Sequence, residues 1–151
     1  MTFAQALESC PRLKPHAREG LRALGNNRSR VTTTHTRLIR GSIDVEAAQR
    51  AISGQYTWDY GIGFAAESGE LAIWVEVHPA NSLHVGIILD KLQSLLEFLT
   101  EHAPGMRRLP PRYVWLATKG VGIAPDSRER RRLNARGVIL RSKQLDLESV
   151  V

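Results

Sequence analysis

Cysteine is nearly absent: Cys10 is the only one in 151 residues. That excludes an internal disulfide and any cysteine-based zinc site. Cys10 precedes Pro11 near the terminus with no partner in reach by sequence, and it reads as filler rather than as a nucleophile. No apolar run approaches the ~20 residues that span a bilayer. Met1-Thr2-Phe3-Ala4 does not open a signal peptide, so a cytoplasmic location is expected. Internal repeats and low-complexity tracts are lacking. Gly61-x-Gly63 and Gly120-x-Gly122 lack the rest of any dinucleotide or phosphate-loop fingerprint. Ser82 and His84 carry no nucleophile-elbow flanks, and His16, His35 and His102 are scattered.

The chain has a globular composition, 42% hydrophobic and 24% charged, and a length that predicts one domain over residues 1–151. Its formal net charge is +6, which speaks for association with polyanions. Arg12, Lys14, Arg18, Arg22, Arg28, Arg30, Arg37 and Arg40 crowd the first part, and Arg128, Arg130, Arg131, Arg132, Arg136, Arg141 and Lys143 the last. The middle is neutral to acidic. Basic flanks around an acidic centre suit a phosphate backbone led to a metal site, although solvated arginine faces without a partner read equally well.

Periodicity predicts a helix over Pro11 to Leu24, stopped by Gly25-Asn26-Asn27, and then an extended Val31–Ile39. The stretch from Gly41 to Arg50 reads either as extended or as a short helix capped by Ser42 or Asp44, with Ser53-Gly54 as its stop. A long amphipathic helix follows from His84 to His102, with Val85, Ile88, Leu89, Leu92, Leu95, Leu96 and Leu99 as its stripe. Tyr113–Thr118 reads as a buried strand. Asp126 or Ser127 caps a basic helix to Ala135, and Gly137 releases it into the strand Val138–Leu140.

Between these lies a β-hairpin, Tyr56–Ala66 and Leu71–Ala80. In its second strand, alternation puts Leu71, Ile73, Val75 and Val77 on one face and Ala72, Trp74, Glu76 and His78 on the other. Its first strand puts Trp58, Tyr60, Ile62 and Phe64 opposite Asp59, Gly61 and Gly63. With Ser68-Gly69 as the two loop residues, Tyr60 meets Val77, Gly61 meets Glu76 and Asp59 meets His78. Asp59 and Glu76 then fall on one face as diagonal neighbours, within reach of a shared divalent cation, and the two glycines leave room in front of them. A solvated sheet face with an Asp59–His78 pair is the plainer alternative.

An aspartate on one strand, a hairpin turn, an acid-x-Lys half-motif on the next strand, a long helix and a further strand form the core pattern of the PD-(D/E)XK nuclease-like, or restriction-endonuclease-like, superfamily. From about residue 44 to residue 119 this chain resembles it, with Asp59 and Glu76 as the two acids. Trp58 stands where a proline is usual, and His78 stands where the lysine should be. The resemblance implies an α/β (α+β) fold, with a central mixed sheet of four to five strands flanked by helices. It also implies Mg²⁺ or Mn²⁺ held by Asp59, Glu76 and the Val77 carbonyl, a water oriented by His78 or by Lys91 from the following helix, and an additional acid at Glu46 or Asp44. Arg130, Arg131 and Arg132 would grip the nucleic-acid backbone. Two rivals remain: a catalytically silent member of the fold that binds nucleic acid or a protein partner, and a metal-free α/β interaction protein. A homo-oligomer is compatible with all three.

Overall fold

The computed structural model describes residues 1–52 and 54–151, so Ser53 of the expected Ser53-Gly54 stop lies outside the described residues. Among the described residues, six strands form one mixed sheet whose spatial order follows the chain: β1 (Ala17–Arg18), β2 (Ile39–Asp44), β3 (Tyr60–Ala66), β4 (Gly69–Val77), β5 (Pro111–Ala117) and β6 (Val138–Ser142). The first four pair antiparallel; β4–β5 and β5–β6 pair parallel. The helices are α1 (Phe3–Glu8), α2 (Val45–Arg50), α3 (Val85–His102) and α4 (Arg128–Ala135). The expected mixed sheet is present and is extended by the two-residue edge strand β1.

Both faces of the sheet are buried, so the alternative of a solvated face does not hold. Ala72, Trp74 and Trp115 pack with Phe3 of α1 and with Val85, Ile88, Leu92, Leu95 and Leu99 of α3. On the other face Ile62, Phe64, Leu71, Ile73, Val75, Val114 and Leu116 pack under Leu24, Val31, Leu145 and Leu147. A strand covered on both sides needs apolar residues at successive positions, and the run Leu71 to Val75 supplies them. Trp58 departs from its expected place. It is fully buried on the helical side with Trp74 rather than beside Ile62, because the chain has not yet entered the regular pleat when it reaches residue 58.

The hairpin forms, but its turn lies one residue earlier than expected. Ala66 pairs with Gly69, Glu67 and Ser68 are the loop, and Gly69 is the first residue of β4, at φ +129°. The pairing consequently shifts by two: Phe64 meets Leu71, Ile62 meets Ile73 and Tyr60 meets Val75. A shift of two preserves the faces, which is why alternation alone does not distinguish the registers.

The helix expected over Pro11–Leu24 is absent. In its place are a 3₁₀ turn at Lys14–His16, the strand β1 and a 3₁₀ segment over Arg22–Arg30. Pro15 lacks the amide that a helix interior needs, and Gly20 and Gly25 take positive φ of 53° and 55°. The apolar residues of this stretch serve different cores: Leu13 packs on the helical face and Leu24 on the opposite one. The extended segment expected from Val31 is brief. Residues Val31–Thr32 pair in parallel with Leu145–Asp146, and the long strand starts at Ile39. At the ambiguous stretch both readings are realised in succession, β2 and then α2, with Asp44 Oδ1 accepting the Ala47 amide as cap.

The unforeseen helix α1 begins with a capping box between Thr2 and Gln5. Its Phe3 ring covers Gly63, and the Trp74 ring covers Gly61, so the space expected in front of the acids is filled. A Cβ at Gly61 would stand 2.7 Å from the Trp74 ring. Gly61→Ala is therefore expected to lower stability by about 1–3 kcal/mol, through overpacking. The shift of the urea unfolding midpoint measures it.

Candidate functional site

Where β4 ends, the corrected register brings the two acids directly together. Extending the ladder one residue below Tyr60–Val75 sets Asp59 across from Glu76, and two amide-to-carboxylate bonds hold them there. The Asp59 amide donates to Glu76 Oε1 at 3.1 Å, and the Val77 amide donates to Asp59 Oδ2 at 2.9 Å. The Asp59 carbonyl in turn accepts the amides of Val45 and Glu46 at the start of α2, at 3.0 and 3.3 Å. Glu46 is thereby drawn toward Asp59, while Asp44, the competing additional acid, is engaged as the cap of α2.

Lys91 completes the cluster. It lies on the first half of α3, and its Nζ donates to Glu76 Oε2 at 2.6 Å. Glu76 is 1% exposed and Lys91 21%. The His78 side chain makes no hydrogen bond to the acids or to Lys91, although the Lys91 charge acts on it. Its Nδ1 lies 2.8 Å from the Pro79 carbonyl oxygen, and its ring packs edge-on against His84, with centroids 4.7 Å apart. The expected Asp59–His78 opposition is thus replaced by Asp59–Glu76. Burial lowers the pKa of His78, which favours the neutral ring. Val77 enters the site through its amide, bonded to Asp59.

Electrostatics set this cluster apart from an ordinary ion pair. Burial pushes the Asp59 carboxyl up to about 6, against the opposing pull of the Val77 amide and Lys91, while Glu46 adds to the rise. Glu76 is pushed up to about 8, by burial first and by the Asp59 charge second, with Lys91 opposing. One ammonium thus faces two carboxylates, an excess of negative charge in a desolvated place, while Glu46 nearby is paired with Arg50. The pair relieves it by holding a proton near neutrality. A hard divalent cation would relieve it as well, and the donors are all oxygen, the set such ions take. Among the described residues, no group of three or more His, Cys, Asp or Glu side chains is arranged to hold an ion by itself. Two carboxylates with the remaining positions left to water and substrate is a normal Mg²⁺ environment.

Sequence reasoning missed the supports of this site. Gln49 of α2 is buried, and its Oε1 accepts the Trp58 amide at 2.8 Å while its Nε2 donates to Ser94 of α3 at 3.3 Å. Ser94 Oγ donates to the Tyr56 carbonyl at 2.6 Å. These bonds fix the irregular segment that delivers Asp59. A glutamine on a short helix gives no sign of that role in the sequence. Of the three arginines, Arg130 is turned inward, its guanidinium donating to the Ile123 carbonyl at 2.8 Å. Arg131 bonds the Asp126 carbonyl while remaining exposed, and Arg132 is exposed. Ser127, rather than Asp126, caps α4.

The raised carboxyls have a consequence for stability. Their ordinary values are 3.8 for Asp59 and 4.5 for Glu76, so between those values and about 6 and 8 the folded chain holds protons that the unfolded chain has released. Stability of the metal-free protein is fully supported below the lower values and falls as pH rises through the window, with a slope of up to about 1.4 kcal/mol per pH unit for each proton. Glu76→Gln is expected to flatten most of that slope, as urea melts at several pH values would measure. Glu148, pushed down to about 2 chiefly by the Thr33 hydroxyl, acts in the opposite sense, but only below its ordinary 4.5.

Comparison with protein-family models, with curated proteins and with solved structures finds no match to this chain.

Proposed function

We propose that this chain is a metal-dependent nuclease of restriction-endonuclease-like fold, in which Lys91 of α3 replaces the lysine absent from the strand half-motif. The observation that carries this reading is the 2.6 Å contact from Lys91 Nζ to Glu76 Oε2 beside Asp59. A lysine from a neighbouring helix reaches the acid that the strand motif would otherwise serve. The run of strand, turn, strand, helix and strand, with β5 parallel to β4, agrees with the resemblance.

In this reading Asp59, Glu76 and the Val77 carbonyl would hold Mg²⁺ or Mn²⁺, with Glu46 as an additional acid. The ion would neutralise charge on the phosphoryl group and acidify a water molecule. Lys91 orients the attacking water and balances the acid pair. The two carboxylates, each held by a backbone amide of the other segment, are preorganised for an ion before it arrives. His78, turned toward His84 and Trp115, has no role in orienting water. Arg131 and Arg132 remain available to phosphates without reading sequence, whereas Arg130 is committed to the loop before α4.

The near-complete burial of Glu76 favours a second reading: a member of the same fold in which the Lys91–Glu76 pair is structural, nucleic acid is bound and nothing is cut. The two differ in their response to metal. Calorimetric titration with Mn²⁺ at neutral pH is expected to give saturable binding by the wild type. That binding should be lost in a folded Asp59→Ala/Glu76→Ala double variant, and it should strengthen with pH across the window in which the acids release protons. No binding, with or without nucleic acid, would favour the silent reading.

Lys91→Met is expected to keep metal binding and to lower phosphodiester cleavage by about 100-fold or more, the usual scale for a catalytic proton-transfer or charge-stabilising group. His78→Ala should change cleavage little. Cleavage that survives in Lys91→Met and disappears in His78→Ala would reverse the two roles.

A further inference from the structure

Next to the acid pair is a second feature, which shares Glu46 with the proposed metal site. A cleft of ≈ 500 Å³ lies between the kinked Arg22–Arg30 segment and α2, lined among others by Gly25, Asn27, Asp44, Glu46, Arg50 and Tyr60. Glu46 borders both this cleft and Asp59, and Tyr60 directly follows Asp59 in the chain. The cleft therefore adjoins the acid pair at Glu46.

Its shape is held by specific bonds. The 22–30 segment is kinked at Gly25, with φ 55° and ψ −128°, where a Cβ would meet nothing within 4 Å. Asn27 Nδ2 donates to the Tyr60 phenol oxygen at 3.0 Å, and Asn27 Oδ1 accepts from Arg30 Nε at 3.1 Å. The loop is thus tied directly to the first residue of the strand that follows Asp59. Tyr60 stands half-buried on the wall of the cleft and brings aromatic surface to it.

The charges decide what fits. Arg50 is paired with Glu46 at 2.9 Å, and Asp44, which accepts the Ala47 amide as the cap of α2, has no ion pair among the described residues. The lining therefore carries a net negative charge and repels a phosphate. It does offer hydrogen-bonding carboxylates, an amide and a phenol to a neutral polar group. In a polynucleotide, the neutral, hydrogen-bonding, aromatic part adjoining a phosphodiester is the nucleoside. A base can enter a concave cleft only if it is unpaired or has left its stack.

We propose that this cleft holds an unpaired nucleoside adjoining the phosphodiester at Asp59 and Glu76, making single-stranded or frayed nucleic acid the preferred substrate class. This rests on the nuclease reading given above. Backbone charge is met by the exposed arginines outside the cleft, and the cleft selects for strandedness rather than for sequence. Aromatic surface suits that selection, because every base presents a π-face.

The test is fluorescence anisotropy of the full chain in Ca²⁺. The probes are labelled DNA and RNA strands of about ten nucleotides, a length within the usual site size, each free and annealed to its complement. The wild type is expected to bind free strands about tenfold more tightly than duplexes, the scale of one well-placed base. Ala47→Phe, which fills the cleft from α2, should bring that ratio close to one, and Tyr60→Phe, which removes only the phenol held by Asn27, should lower it by a smaller factor. Circular dichroism establishes that each variant is folded. Equal binding of strand and duplex by the wild type overturns the proposal. So does a strand preference that persists in folded Ala47→Phe, or in folded Tyr60→Phe and Asn27→Ala should Ala47→Phe not fold. Metal-dependent cleavage without strand preference would defeat this inference alone, whereas the absence of any nucleic-acid binding would defeat the nuclease reading with it.

Discussion

Everything at this site depends on holding a glutamate inside the protein. Glu76 lies between Trp74 and the end of β4, almost without access to water, and isolated burial of a carboxylate is costly enough that the group takes up a proton or finds a partner. Three partners meet it: the Asp59 amide on Oε1, the Lys91 ammonium on Oε2 and the Asp59 carboxylate as a like charge that offsets part of the gain. Such a site is stable enough to form and remains short of positive charge. That deficit separates it from the surface ion pairs among the described residues, such as Lys14–Glu8, which are solvated and contribute little.

Three elements must be set correctly for that arrangement to exist. The β3–β4 register puts Asp59 opposite Glu76, and the packing of α3 on Trp74 and Trp115 sets Lys91 over the strand end. The Gln49–Ser94 bonds fix the irregular entry to β3 against both helices. The glycines of β3 matter for the same reason. Gly61 and Gly63 admit the rings of Trp74 and Phe3, which fill the sheet face beside the acids.

Much of the architecture was legible in the chain. The hairpin, α3, the strand at Tyr113, the capped α4 and the strand beyond Gly137 follow from alternation, helical spacing and caps. Failures came where a pattern had two physical explanations. Leu13, Ala17, Leu21 and Leu24 have helical spacing, yet Leu13 and Leu24 serve opposite faces of the sheet, and Pro15 and the positive-φ glycines break the run. The turn at Glu67–Ser68 was misplaced by one residue because Gly69, which looks like a loop glycine, opens β4 instead.

The sequence by itself determined that Asp59 and Glu76 share one face of a hairpin, because a period of two survives a register error of two. It also determined that a long helix bearing Lys91 follows. Only the tertiary structure decided which basic residue meets the acids. His78 is two residues from Glu76 and on the same face by alternation, but the strand ends at Val77 and the His78 ring turns toward His84. Lys91 is fifteen residues away and reaches Glu76 because α3 packs back across the sheet. Local periodicity specifies a face, whereas the partner of a buried charge depends on how separate elements pack, and that information is not local in the chain.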